Sequence, residues 1–141
     1  MLGKLKQKLK DQRGLTLVEL LAVVVILGII AAIAVPSIGN IIAKSKFDAS
    51  KADAIMVLNG AELYMTETGE TNATDLNEEK LKTYVKDVKA LTTWSVAIDD
   101  GVPKITATST GKTKGGSVVT WTSATKDTVN KTTYETGIPT K

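Results

Sequence analysis

Residues 13–43 read RGLTLVELLAVVVILGIIAAIAVPSIGNIIA, and the fold turns on what this stretch can do. Between Arg13 and Lys44 the single charged side chain is Glu19, and residues 20–36 carry no polar side chain. A helix needs about 20 apolar residues to cross a bilayer. Residues 15–38 supply that length if one carboxylate is tolerated. A charge at the bilayer centre costs about 2.5–3.5 kcal/mol on insertion scales, and less near the interface. Glu19 is therefore a candidate functional residue, and it needs a cation nearby.

The run Gly14-Leu15-Thr16-Leu17-Val18-Glu19 follows a lysine-rich leader and precedes an apolar segment that holds Gly28 and Pro36. It resembles the class III leader of type IV prepilins, closely over residues 1–43 and in outline beyond. The resemblance implies that a prepilin peptidase cuts after Gly14 at the cytoplasmic face. Leu15, where phenylalanine is commoner, would then carry a methylated amine, and Glu19 would stand fifth in the mature chain as an assembly residue. It also implies that the segment from Gly28 to Pro36 loses helical order when subunits pack into a filament. The implied partners are other copies of the chain in a helical filament, the peptidase, the membrane, and an assembly platform with its ATPase. No cofactor is implied. The family's fold is α+β: a long N-terminal helix packed against a small antiparallel sheet.

Charge and composition agree with this topology. Residues 1–14 carry four lysines and Arg13 against Asp11, a net of +4, which leaves −1 of the chain's formal +3 for the remainder. Basic residues before an apolar span keep that end in the cytoplasm, so the rest of the chain faces outward. The 141 residues contain no cysteine and no histidine. This excludes disulfides, a lipidated cysteine and thiolate metal sites, and removes the usual general base. Lack of cysteine also fits a Gram-positive source, since many Gram-negative pilins close a C-terminal loop with a disulfide.

In chain order the expected parts are a leader (1–14), a transmembrane or filament-core helix (15–43), its amphipathic continuation (44–66) and a globular head (67–141). Phe47, Ala54, Leu58, Ala61 and Met65 share one face of the continuation, with Ala52 and Ile55 beside it. Asp48 and Lys51 are spaced for a helical ion pair. Read as one helix from Leu15 to about Thr66, this is roughly 75–80 Å at 1.5 Å per residue, too long for a small core to bury. Pro36 lacks an amide donor and clashes with the carbonyl four residues back, so a kink or opening is expected there. Gly69 ends the helix. Asp75 and Glu78 have the spacing of a capping box for a short helix over about 75–88.

From Ala90 the period turns to two, predicting strands within about 91–123: Trp94, Val96 and Ile98 on one face, a turn at Asp99-Asp100-Gly101, then 102–109 and 117–123. The loop 110–116 (TGKTKGG) lacks phosphate-loop spacing and the helix that must follow one. The threonine-rich tail has Tyr134 and Ile138 as anchors. A sheet this small is not stable alone, so the helix face completes the core.

No constellation for catalysis or for a metal is present, which reads as a non-enzymatic protein. Asp99-Asp100-Gly101 lacks the further spaced oxygens that calcium requires. The two N-x-[ST] matches at Asn72 and Asn130 are expected by chance in so threonine-rich a chain. Residues 44–100 have a net charge of −4 and residues 101–141 of +4. The readings are two solvated surfaces, complementary faces between subunits, or a basic edge for DNA; with Trp121 and Tyr134 as the only aromatics there, nucleic acid is disfavoured.

The resemblance thus implies a pilin, a precursor of the cytoplasmic membrane that polymerises into an extracellular type IV pilus for adhesion, motility or biofilm formation. A pseudopilin of a type II secretion or DNA-uptake machine is the alternative within the family. The alternative of another class is a secreted binding domain released after Ala34, at Ala32-Ile33-Ala34. Glu19 in the apolar run, Pro36 just past the cut and an unbroken helical pattern oppose it.

Overall fold

A computed structural model describes residues 2–137, with side-chain surroundings from Thr16 onward. The expected anchor Ile138 lies outside the described residues. The chain divides into two compact units, Met1–Gly39 and Asn40–Lys141. A single helix, α1 (Leu2–Thr68), supplies the described residues of the first and opens the second.

In the first unit α1 runs unbroken across Gly28 and Pro36. The large apolar side chains from Leu17 to Val35 are all exposed, by 52% or more.

In the second unit the same helix acquires a buried stripe. Phe47, Ala54, Val57, Leu58 and Ala61 are each 1% exposed or less. Met65 and Ile55 are half-buried against them, while Ala52 is exposed. Gly69 adopts φ 71° and donates its amide to the Met65 carbonyl at 2.8 Å, ending the helix where expected.

Facing this stripe is a four-stranded antiparallel sheet in chain order: β1 (Ala73–Leu76), β2 (Leu91–Asp99), β3 (Val102–Lys112) and β4 (Val118–Ala124). Val96, Ile98, Ile105, Ala107, Val119 and Trp121 point inward and are buried. The β2–β3 hairpin closes through Asp100 (φ 49°) and Gly101 (φ 75°). Two successive positive φ values define the turn whose twist suits a two-residue hairpin, and Asp-Gly is a favoured pair for it. Pro103 sits in β3 beyond the reach of β4, whose pairing begins at Ile105, so its missing amide costs no ladder bond.

Three local readings need correction. The helix expected over 75–88 is one turn, α2 (Glu78–Leu81), capped by Asn77, whose side chain accepts from the Lys80 amide. Asp75 is not the cap: it has φ 58° and lies in the irregular edge strand β1, paired with β2. The loop at 110–116 is shorter, because β3 continues to Lys112. The tail holds a further helix, α3 (Lys126–Lys131), capped by Thr125 and burying Val129.

Polar contacts tie these parts to α1. Ser50, fully buried, donates to the Ala90 carbonyl at 2.8 Å and accepts from the Gly111 amide at 3.2 Å. Asp53 accepts from the amides of Lys89 and Ala90 at 2.9 and 2.7 Å. Trp121 donates through Nε1 to Thr132 Oγ1 at 3.1 Å, locking α3 to the sheet. Among the described residues no buried side-chain polar atom lacks a partner, as a well-specified core requires.

At Gly111, β3 comes closest to α1. A Cβ there would stand 2.5 Å from the Phe47 amide nitrogen and 2.6 Å from the Lys46 carbonyl oxygen, both backbone atoms of a packed helix. Gly111→Ala should therefore force strand and helix apart and destabilise the head by about 1–3 kcal/mol. Thermal denaturation of the detergent-solubilised protein checks this. An unchanged midpoint would mean that the approach is not a tight constraint.

Candidate assembly site

The first element of the site is the uncovered helix. Leu17, Val18, Leu20 and Leu21, which surround Glu19 in sequence, are 63–70% exposed, and Glu19 is exposed with them. Soluble monomers seldom expose contiguous apolar patches of more than a few hundred Å². Fully burying each Leu, Ile or Val is worth about 1.5–3 kcal/mol. A helix of such residues demands lipid or other apolar helices around it.

The sequence-predicted residues are distributed along this helix. Gly14 and Leu15 belong to α1 by backbone, but their side-chain surroundings lie outside the described residues. Glu19 is one helical turn beyond Leu15, so a new amine at Leu15 would arise within reach of a carboxylate, on this helix or a neighbouring one. Gly28 has open space where a Cβ would stand, and leaves a shallow point at which another helix can approach. Pro36 is exposed within α1.

The second element lies on the head, where two charged surfaces stand apart. Gly111 of β3 abuts Lys46 and Phe47, whereas Gly101 donates its amide to the Thr71 carbonyl at 2.9 Å. The strand therefore spans the head from the start of its helical segment to just past the end of α1. Both the helix rise from Phe47 to Thr68 and the strand rise from Val102 to Gly111 give about 30 Å for that span.

At the first end, the base, a groove of about 670 Å³ is lined by Lys44, Lys51, Lys114 and Lys131, with Phe47 and Tyr134 supplying aromatic walls. Those rings meet edge to face, 5.7 Å between centroids. Asp48 and Glu135 are the acids on the lining. The expected Asp48–Lys51 pair does not form; Lys51 instead donates to the carbonyls of Asn130 and Thr132, at 2.8 and 2.9 Å. Those carbonyls end α3, where a cation is favoured by the helix dipole and by unpaired acceptors.

The opposite end, the tip, joins the turn after α1 to the β2–β3 hairpin, with Asn72 Oδ1 accepting from the Asp100 amide at 3.1 Å. It carries Glu67, Glu70, Asp99 and Asp100. The hydroxyl of Tyr64 donates to Glu70 and that of Tyr84 to Glu67, each at 2.5 Å. These bonds to carboxylates hold both phenols above their ordinary pKa. Lys104, 2.7 Å from Asp99, holds that carboxyl below the usual range, through the hydrogen bond first and its charge second.

Sequence reasoning missed the basic groove. Its lysines are far apart in the chain, and the missed α3 brings Lys131 and the carbonyls for Lys51 to the base. The charge split between segments pointed towards Lys114 and Lys131 but not towards Lys44 and Lys51, which lie in the acidic segment. Among the described residues no cluster of acids could hold a metal ion. The turn at Asp99-Asp100-Gly101 is a hairpin closure with an ion pair to Lys104.

A long helix laid on a four-stranded antiparallel sheet is a pilin-like α+β fold. Residues 9–35 match the family model described as the prokaryotic N-terminal methylation motif. The chain is also 39% identical over 80 residues to the type II secretion system core protein G of Vibrio cholerae serotype O1. That match covers 55% of this chain and 53% of the relative, so the chain spans about half the length of the curated protein it resembles. No solved structure matches the chain. The N-terminal methylation motif and the pilin-like fold are features the chain shares with the type IV pilin and pseudopilin superfamily, whose members are structural, non-enzymatic proteins.

Proposed function

We propose that this chain is the building block of a type IV pilus. It enters the cytoplasmic membrane with residues 1–14 inside, is cut after Gly14 by a prepilin peptidase, and is methylated on the Leu15 amine. An assembly platform and its ATPase then stack it into an extracellular filament that serves adhesion, surface motility or biofilm formation. The observation that carries this reading is the apolar helix, uncovered by the chain's own residues and bearing a single carboxylate just past the leader.

A pseudopilus is the second reading, favoured by the likeness to a type II secretion core protein. Mass spectrometry of sheared surface filaments separates the two. Subunits beginning at Leu15 in long surface filaments support the pilus. Retention in the envelope, with a protein-secretion defect when the gene is deleted, supports the pseudopilus. A product beginning at Val35 would refute both.

Cleavage needs a small residue before the cut. Gly14→Val should therefore leave a full-length chain in the membrane and abolish filaments. Mature-length product from that variant would remove the peptidase from the account.

Glu19 is proposed to meet the Leu15 amine of an incoming subunit. A carboxylate and an ammonium are each expensive alone in an apolar layer, and far less so when paired. Glu19→Ala should leave expression, insertion and cleavage largely intact and sharply reduce polymerisation. Glu19→Gln, which keeps the shape and loses the charge, should be nearly as poor. Wild-type filament yield from Glu19→Ala would show that the carboxylate has no such role.

The segment from Gly28 to Pro36 is proposed to unwind on assembly, since Pro36 has already removed one helical hydrogen bond. Pro36→Ala restores that donor. It should raise helix content in the free subunit and lower filament yield; unchanged yield with unchanged packing would make Pro36 a tolerated irregularity.

A further inference from the structure

The head carries opposite charge at its two ends, and one end is concave. We propose that the acidic tip of one copy seats in the basic groove at the base of another, a heterologous contact that repeats along the filament. The inference rests on the filament reading above and adds which surfaces meet.

The groove is short of counter-charge. Lys114 is paired with Glu135 and Lys131 with Asp127. Lys51 is held by two neutral carbonyls, and Lys44 is in none of the ion pairs among the described residues. Asp48 is the one acid on the lining outside those pairs, against two such ammonium groups. The tip has the reverse imbalance: Lys104 answers Asp99, while Glu67 and Glu70 accept from neutral phenols. Glu67 on the last turn of α1, Glu70 just past it and Asp100 on the hairpin are all exposed, and Asn72 ties the segment after α1 to that hairpin. A carboxylate entering the groove meets Lys44 and Lys51 and the ring of Tyr134, and leaves each imbalance smaller.

The occupant is a second copy rather than a nucleic acid. A polyanion gains its affinity from many unpaired cations along its path, and this groove interleaves its lysines with Asp48 and Glu135. A contact between different surfaces of identical subunits propagates instead of closing on a two-fold axis, as a filament needs. Tip and base are about 30 Å apart along the head, so copies joined this way recur at about that interval along the helical segment of the head.

The chain has no cysteine, which makes thiol crosslinking selective. Ser45→Cys places a thiol beside Lys44, and Thr71→Cys places one beside Glu70, leaving every charge intact. In one copy the helix from Ser45 to Thr68 alone separates them by about 35 Å, beyond the span of a short bifunctional maleimide. Filaments of the double variant should yield a ladder of covalent multimers, and each single variant none. Lys44→Glu and Glu70→Lys should each lower filament yield severalfold, and their combination should restore most of it. Intact filaments without a ladder would overturn the tip-to-groove contact and leave the filament reading standing. A ladder with undiminished yield from Lys44→Glu would overturn the charge pairing. DNA retention that depends on Lys44, in filaments giving no ladder, would assign the groove to nucleic acid instead. Failure of the unaltered chain to form any filament would remove both readings.

Discussion

Everything in this molecule answers to an apolar helix whose large side chains from Leu17 to Val35 stand exposed. Within residues 16–39 helical hydrogen bonds satisfy the backbone internally, save the Ala32 carbonyl that Pro36 deprives of its amide donor, and such satisfaction is the condition for entering hydrocarbon. The side chains have no inward and outward face, since Val, Leu and Ile alternate all the way round. Such a segment is at home in a bilayer and among copies of itself, and nowhere in water. In the second unit the described core residues of α1 begin at Phe47.

The second unit uses the same backbone differently. Once charges appear at Lys44, Lys46 and Asp48, the helix has a wet side and can bury a stripe. The sheet matches that stripe with branched and aromatic side chains, and two small residues set the spacing. Gly111 brings β3 onto the helix backbone, and Gly60 admits Val85, whose Cγ2 would stand 2.1 Å from an added Cβ. Ser50 and Asp53 then satisfy the strand and loop amides that so close an approach buries. Lys126, held by both carboxylate oxygens of Glu62 at 2.8 and 2.9 Å, pins the tail helix to α1 from the solvent side. With the ion partly exposed, that pair contributes register more than stability.

Much of this was legible because the strongest sequence signals are periodic. The uninterrupted apolar run, the change to a helical stripe at Phe47 and the alternation from Trp94 to Ile98 each state a solvent and a period. The positions of the three longer strands and the Asp-Gly turn followed from them. What escaped were short elements fixed by tertiary contact. The edge strand at Ala73–Leu76 has a polar sequence and exists because β2 offers it a partner. Helix α3 spans six residues, too few to be marked by a period, and depends on Thr125, Trp121 and Lys51. The Asp75–Glu78 spacing fitted a capping box, but strand pairing claimed Asp75 and left the cap to Asn77. The leader motif was legible outright; the groove at Lys44 and Tyr134 was not, since folding alone assembles it.

The uncovered helix also explains why polar groups matter more here than their number suggests. Burial of apolar surface is non-directional and rewards any parallel packing of such helices almost equally. In lipid even that preference shrinks, since a lipid tail is as good a neighbour as another leucine. A filament with one register therefore needs discriminating contacts, and an apolar helix can hold few charges before it ceases to insert. In the proposed filament a single carboxylate at Glu19 would meet both demands: its cost is bearable near the interface, and its relief would depend on where the next amine stands. Charges on the head escape the insertion limit because they lie in water, where each pair is weaker but more can be used. In that proposed filament the division of labour would follow from the two solvents: the helix would supply adhesion with one term for register, and the head would spread many weak terms over a wide surface.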